Sequence, residues 1–217
     1  MQFTRFFLAG ALSALFVLGE VPANPKLLTA LDRYVATPDP NYKWTLANTL
    51  TNVKGMKIHQ LDMTSQSWRT EKEVNRTIWK HWVNVYVPEK VESSTAFLFI
   101  SGGSNRSDKP PANGDVMLTQ IALETRSVIA EVRMIPNQPL VFDNDGKERS
   151  EDEIIALAWH RFLRGGDDQW LPRLPMTKAA VRAMDSVTAL CASGQCGDGV
   201  KVEKYVVAGG SKRGWTT

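Results

Sequence analysis

The 217-residue chain carries 26 Lys and Arg against 23 Asp and Glu, a formal charge of +3 with no basic stripe interleaved with aromatics, which excludes an electrostatic nucleic-acid binder. Beyond residue 23 no apolar run approaches the roughly 18 residues of a bilayer span, so no membrane-embedded segment is expected after that point. Two cysteines and three dispersed histidines argue against a clustered zinc site, and no motif calls for a cofactor.

In chain order, residues 1–23 read as a cleaved secretory signal: one basic residue, Arg5, then the apolar Phe6 to Gly19, then Val21-Pro22-Ala23 with short residues at the cleavage positions. The remaining residues, 24–217, suffice for one core and read as part of a single domain. Pro25 to Val35 predicts a short helix stopped by Thr37-Pro-Asp-Pro40. Tyr42 to Leu50, Met56 to Met63 and Lys80 to Val87 predict an antiparallel opening, the last by alternation of His81, Val83, Val85 and Val87 with Trp82, Asn84 and Tyr86.

The pattern then changes to strands alternating with helices. Ala96 to Ile100 is a continuous apolar run expected to be buried on both faces, and Ser101-Gly-Gly-Ser-Asn105 follows it. Val116 to Glu124 predicts a helix, Val128 to Val132 a strand, and Glu151 to Leu163 a helix. Lys178 to Leu190 predicts a helix with Ala180, Val181, Met184, Val187 and Cys191 on one face, and Val202 to Ala208 a last strand. This order predicts an α/β sheet, mostly parallel beyond antiparallel N-terminal strands. In an oxidising compartment Cys191 and Cys196 are expected to close a small loop after the fourth helix.

The strongest chemical signal is Tyr205-Val-Val-Ala-Gly-Gly-Ser-Lys-Arg-Gly-Trp-Thr-Thr217, an apolar strand that breaks into two glycines and a serine. A serine hydroxyl is a weak nucleophile, and enzymes hold it on a sharp strand-to-helix turn where a base and backbone donors reach it. Gly209 would let strand and helix pack closely, and Gly210 and Gly214 would relieve crowding around Ser211. Arg213 stands where G-x-S-x-G has its last glycine, and the bare pattern also fits a turn with Ser211 as helix N-cap. A phosphate loop fails on spacing, since neither Gly-rich stretch reads G-x-x-x-x-G-K-[ST].

With Ser211 as nucleophile, the developing oxyanion would take the backbone N–H of Lys212 and of the Gly102-Gly103-Ser104 turn, Gly103 above all. His59, His81 and His160 precede the serine, against the usual order of nucleophile, acid and histidine, and read as structural. The carboxylates between Asp143 and Glu153 read as a solvated loop and helix start. The loops Asn137 to Glu151 and Gly165 to Pro175, with Trp170, read as surface or as the rim of a site.

Several stretches together resemble the family of PhoPQ-activated pathogenicity-related proteins. They are Leu61-Asp-Met-Thr-Ser-Gln-Ser-Trp-Arg69, Ile100-Ser-Gly-Gly-Ser-Asn105, Ile135-Pro-Asn-Gln-Pro-Leu-Val-Phe142, Arg173-Leu-Pro-Met-Thr-Lys-Ala-Ala-Val-Arg-Ala-Met-Asp185 and Ala208-Gly-Gly-Ser-Lys-Arg-Gly-Trp-Thr-Thr217. The resemblance implies an α/β-hydrolase-like fold in a secreted or periplasmic protein, with Ser211 as nucleophile and Lys212 and Gly103 at the oxyanion site. It also implies that this chain is an N-terminal part, with the acid and histidine of a triad beyond Thr217. Two functions follow as expectations: a serine hydrolase of an ester or amide, or a non-catalytic secreted binding or signalling protein on the same scaffold.

Overall fold

The computed structural model describes residues 28–51, 53 and 55–217. The signal reading and the start of the first helix lie outside them. Helix α1, Ala30–Ala36, opens on a reciprocal cap: Thr29 accepts from the Asp32 N–H, and Asp32 accepts from the Thr29 N–H. Lys178 donates to the Thr37 carbonyl at 2.6 Å and ties this helix to the body.

Six strands form the central sheet: β1 (Lys43–Leu50), β2 (Met56–Ser67), β3 (Ile78–Pro88), β4 (Thr95–Ile100), β5 (Ile129–Val132) and, late in the chain, β8 (Lys204–Gly209), in the order β1-β2-β3-β5-β4-β8. Pairing is antiparallel from β1 through β3 to β5, and parallel from β5 to β4 to β8. Between β4 and β5 lies α2, Val116–Thr125. Between β5 and β8 lie a hairpin of β6 (Leu140–Val141) and β7 (Glu148–Arg149), α3 (Asp152–Gly165) and α4 (Arg173–Ala192). The first crossover leaves β4 for its neighbour on one side, and the second returns past β4 to its other side. This is an α/β-hydrolase-like arrangement.

The two faces differ. Ala96, Leu98 and Ile100 of β4 and Val83, Val85 and Val87 of β3 point into the larger core, which α4 covers with Met176, Ala179, Ala183 and Val187. Ile58, Tyr86 and Ile129 point to the other face, under Leu118 and Ala122 of α2. Each fully buried Val, Leu or Ile side chain contributes about 1.5–3 kcal/mol, so β3, covered on both faces over most of its length, anchors the sheet. Strand β4 departs from expectation: Phe97 and Phe99 are half-buried, because the α2 layer covers its second face incompletely. Helix α4 starts a turn and a half earlier than predicted, since Pro175 falls in its first turn where no intrahelical N–H is needed. Its buried stripe runs through Ala179, Ala180, Ala183, Val187, Leu190 and Cys191, leaving Val181 and Met184 on the flank.

A polar row crosses the α2 face beside these apolar contacts. Asn48, Gln60, Asn84 and Glu131 are direct register partners on β1, β2, β3 and β5. Asn48 Nδ2 donates to Gln60 Oε1 at 2.9 Å, Gln60 Nε2 to Asn84 Oδ1 at 3.1 Å, and Asn84 Nδ2 to Glu131 Oε2 at 3.2 Å. Arg133 closes the row on Glu131 at 2.9 Å. At the far end of α4, Cys191 and Cys196 form a disulfide with Cα atoms 4.7 Å apart.

Candidate active site

β8 ends at Gly209, and residues Ser211–Thr216 turn at once into a 3-10 helix. Ser211 takes φ +55, a left-handed conformation that costs a non-glycine residue on the order of 1–3 kcal/mol and persists only where the surroundings enforce it. They do so by close backbone approach. A Cβ on Gly209 would lie 2.8 Å from the Arg213 carbonyl carbon and oxygen, and a Cβ on Gly214 would lie 2.9 Å from the Gly209 oxygen. Gly210 faces open space at φ −96°, so it relieves no crowding, contrary to the sequence reading. Gly210 is also the N-cap, with no side-chain cap bond, so the Ser211 hydroxyl is not spent on the helix and stands exposed.

The neighbouring strand β4 pairs Ile100 with Gly209 in parallel, so residues 101–105 leave the sheet at the same edge as the serine turn. Residues after β4 go on to α2 on one face, whereas the turn after β8 packs on α4 on the other. Such a divergence opens a crevice at the carboxyl end of a sheet. Gly103 has φ +136, with its missing side chain 3.4 Å from Met134. Among the described residues, neither the Gly103 nor the Lys212 backbone N–H donates to a protein acceptor.

Charged side chains lace this edge together. Arg213 Nε donates to the Ile135 carbonyl at 2.6 Å, and its Nη2 donates to Glu151. Lys212 Nζ lies 2.8 Å from Glu151 Oε2 and 3.1 Å from Asp152 Oδ1, while the Lys212 carbonyl accepts from Arg173. Glu151, itself at φ +52, exchanges two hydrogen bonds of 2.7 Å with the Gln138 amide. Partial burial pushes its carboxyl up, but hydrogen bonds from Arg213, Lys212 and Gln138 outweigh that and hold it at about 2. The Lys212 ammonium is held above its ordinary value, first by Glu151.

The histidines stand elsewhere. His81, fully buried, donates from Nδ1 to the Arg133 carbonyl at 3.0 Å and accepts at Nε2 from Ser65 at 2.9 Å; burial pushes it down to about 4. His59 donates to the Gln195 carbonyl at 3.0 Å and accepts from Thr49 at 2.9 Å, and burial lowers it too. His160 lies exposed on α3. A cleft of about 280 Å³ opens beside Gly103 and Ser104, bounded by Gln138, Glu148 and Ser150. Another, of about 370 Å³, lies over β3 between Arg76, Lys80, Trp82 and Asn105. Ser211 lines neither. Among the described residues no group of three His, Cys, Asp or Glu could hold a metal ion.

The structure thus brings Ser211, Lys212 and the Gly103 turn to one edge. Of the two loops read as a rim, Asn137 to Glu151 reaches the serine turn through Gln138 and Glu151, and Gly165 to Pro175 does not supply Trp170 to it. Trp170 is buried, with Arg69 and Arg161 guanidinium carbons 4.0 and 4.3 Å from its ring. Glu151 was missed within the carboxylate-rich stretch read as solvated; its one sequence signal is an acid at a helix start.

The sequence profile of the PhoPQ-activated pathogenicity-related protein family matches residues 31–217. Autocrine proliferation repressor protein A of Dictyostelium discoideum is 43% identical over 190 residues, which cover 87% of this chain and 37% of that protein. The chain therefore spans little more than a third of that relative's length. Among solved structures, a Bacteroides fragilis protein described as an acetyl xylan esterase aligns with TM-score 0.46 at 13% identity, over 84% of this chain and 45% of its own. A glucuronoyl esterase from Solibacter usitatus aligns with TM-score 0.46 at 14% identity, over 83% and 48%.

Proposed function

The chain belongs to the family of PhoPQ-activated pathogenicity-related proteins, and from that premise we propose that it is the nucleophile-bearing part of a serine hydrolase acting on an ester or amide outside the cytoplasm. One observation carries the reading: Ser211 is held at φ +55 between glycines whose side chains the turn has no room for. Ser211 Oγ would attack the carbonyl, and the Lys212 and Gly103 N–H groups would receive the charge that develops on its oxygen. The general base and its acid would come from sequence beyond residue 217, since the chain spans 37% of its Dictyostelium relative, His59 and His81 spend both ring nitrogens on protein partners, and His160 lies exposed on α3. Export is supported by the signal pattern of residues 1–23 and by the Cys191–Cys196 disulfide, which persists in oxidising compartments.

The test is a fluorophosphonate probe on the protein extended through its reading frame. Labelling at Ser211 is expected, and Ser211→Ala should abolish it. The 217-residue chain alone should stay unlabelled for want of a base. A folded extended protein whose Ser211 resists the probe would favour the second reading, a secreted binding or signalling protein on the same scaffold. That reading draws on the repressor name of the Dictyostelium relative.

A further inference from the structure

The residue that departs from G-x-S-x-G is also the one that touches most of the site. Arg213 sits two residues after Ser211, and its guanidinium reaches three other segments: Ile135 after β5, Glu151 at the start of α3, and Gly102 after β4. The last contact is one of space. A Cβ on Gly102 would lie 2.6 Å from Arg213 Nη2 and 3.0 Å from Cζ, so Gly102 is small because the guanidinium occupies the place of its side chain. The loops after β4 and β5 are already joined to one another, Met134 N–H donating to Gly102 at 3.0 Å and Ile135 N–H to Ser101 at 3.1 Å. Besides the pairing of β4 with β8, the guanidinium fastens this joined pair to the serine turn by direct contact with Ile135 and Gly102, whereas Lys212 reaches it at second hand, through Glu151 and Gln138.

We propose that Arg213, locked in plane by Glu151, is the positioning residue that sets the Gly103 N–H against Ser211. The proposal rests on the hydrolase reading. A planar fork suits the task, since it donates in fixed directions to the Ile135 carbonyl and to the Glu151 carboxylate at once, which a lysine ammonium on a flexible stem does not. Glu151 in turn is held by Gln138 and Lys212, so the fork has a rigid backstop.

The experiment is a set of variants of the extended protein, assayed with p-nitrophenyl acetate and melted in parallel. Arg213→Lys should lower kcat by about 10²-fold with KM little changed, the scale expected when a reacting arrangement shifts by about 1 Å. Glu151→Gln, which keeps the size and loses the charge, should lower kcat by about 10-fold on the same grounds. Gly102→Ala should be as damaging as Arg213→Ala, and the double variant no worse than Arg213→Ala, because the clash disappears with the guanidinium. Additive effects at 102 and 213 would overturn the proposal. So would an Arg213→Lys protein with unaltered kcat, or losses confined to the melting temperature. Should Ser211 prove unreactive in the unsubstituted protein, the hydrolase reading falls separately, and the melting temperatures of the Gly102 and Arg213 variants still decide the coupling: additivity there removes it.

Discussion

The two ends of the sheet are built to different rules. At the serine end, Met134, Glu151 and Ser211 all hold positive φ, and their positions depend on a shared carboxylate and on glycines pressed against backbone. At the opposite end, the chain is closed by the Cys191–Cys196 disulfide and by neutral hydrogen bonds of His59, which donates to the Gln195 carbonyl and accepts from Thr49. A histidine bridges strand to loop at each end, with one nitrogen on a hydroxyl and the other on a backbone carbonyl. The contrast teaches that charge and close packing enforce the conformation of the serine end, whereas the other end is fixed by a covalent link and by one buried histidine that holds its loop.

The largest expected effect is in acid, and both of its groups stand at the serine end. His81 is held neutral, its value lowered from 6.5 to about 4, so unfolded chains bind a proton that folded chains refuse between those limits. The stability it contributes is complete above pH 6.5 and declines as pH falls toward 4, by roughly 3 kcal/mol in all. Glu151 acts in a lower window: its value is depressed from 4.5 to about 2, so its contribution is present above 4.5 and is lost as pH falls toward 2. Chemical denaturation at a series of pH values should show both phases. Glu151→Gln should shrink the lower one, to which paired carboxylates such as Asp145 also contribute, and leave the upper; a lower phase unaltered by that substitution would break the account of the serine end.

Packing gives the next effect. Gly209→Ala forces a methyl against the Arg213 backbone and should cost about 1–3 kcal/mol. Gly210→Ala, one residue on and open to solvent, should stay within about 0.5 kcal/mol. Equal losses at the two positions in thermal melts would show that the turn is not packed as described. At the other end, replacing Cys191 and Cys196 by serine opens a short loop and should cost about 2 kcal/mol on the chain-entropy account. That loss should leave the rate of Ser211 labelling by fluorophosphonate in the extended protein unaltered. A slowed rate would mean that the two ends are coupled through α4.

The sequence made much of this legible where chemistry is local. The serine turn, the Gly102-Gly103 turn and the alternation of strands with helices are each written within about ten residues, and each stands near its expected place. The misses are non-local. Strands β6 and β7 have two residues each, too few for any period to show. Glu151 sits among acids that do face solvent, and what distinguishes it is a partner 62 positions away. Trp170 looked like a rim aromatic because its loop is polar, yet the arginines that cover it come from the segment after β2 and from α3.

The polar row of Asn48, Gln60, Asn84 and Glu131 bears on how the sheet assembles. Side chains alternate between faces, so sliding one strand past its neighbour by a single residue would move every amide in the row away from its partner. A slide by two residues would keep each side chain on its own face, and Val83, Val85 and Val87 are interchangeable under it, but the row is not. Gln60, Asn84 and Glu131 are buried, and each left without a partner would cost about 1–3 kcal/mol, whereas Asn48 at the exposed end would turn to water. The row therefore works as a key: it adds little to the stability of the correct sheet, but it makes the neighbouring wrong alignments unaffordable, and the correct alignment is what delivers β5 and its Met134 turn beneath Gly103.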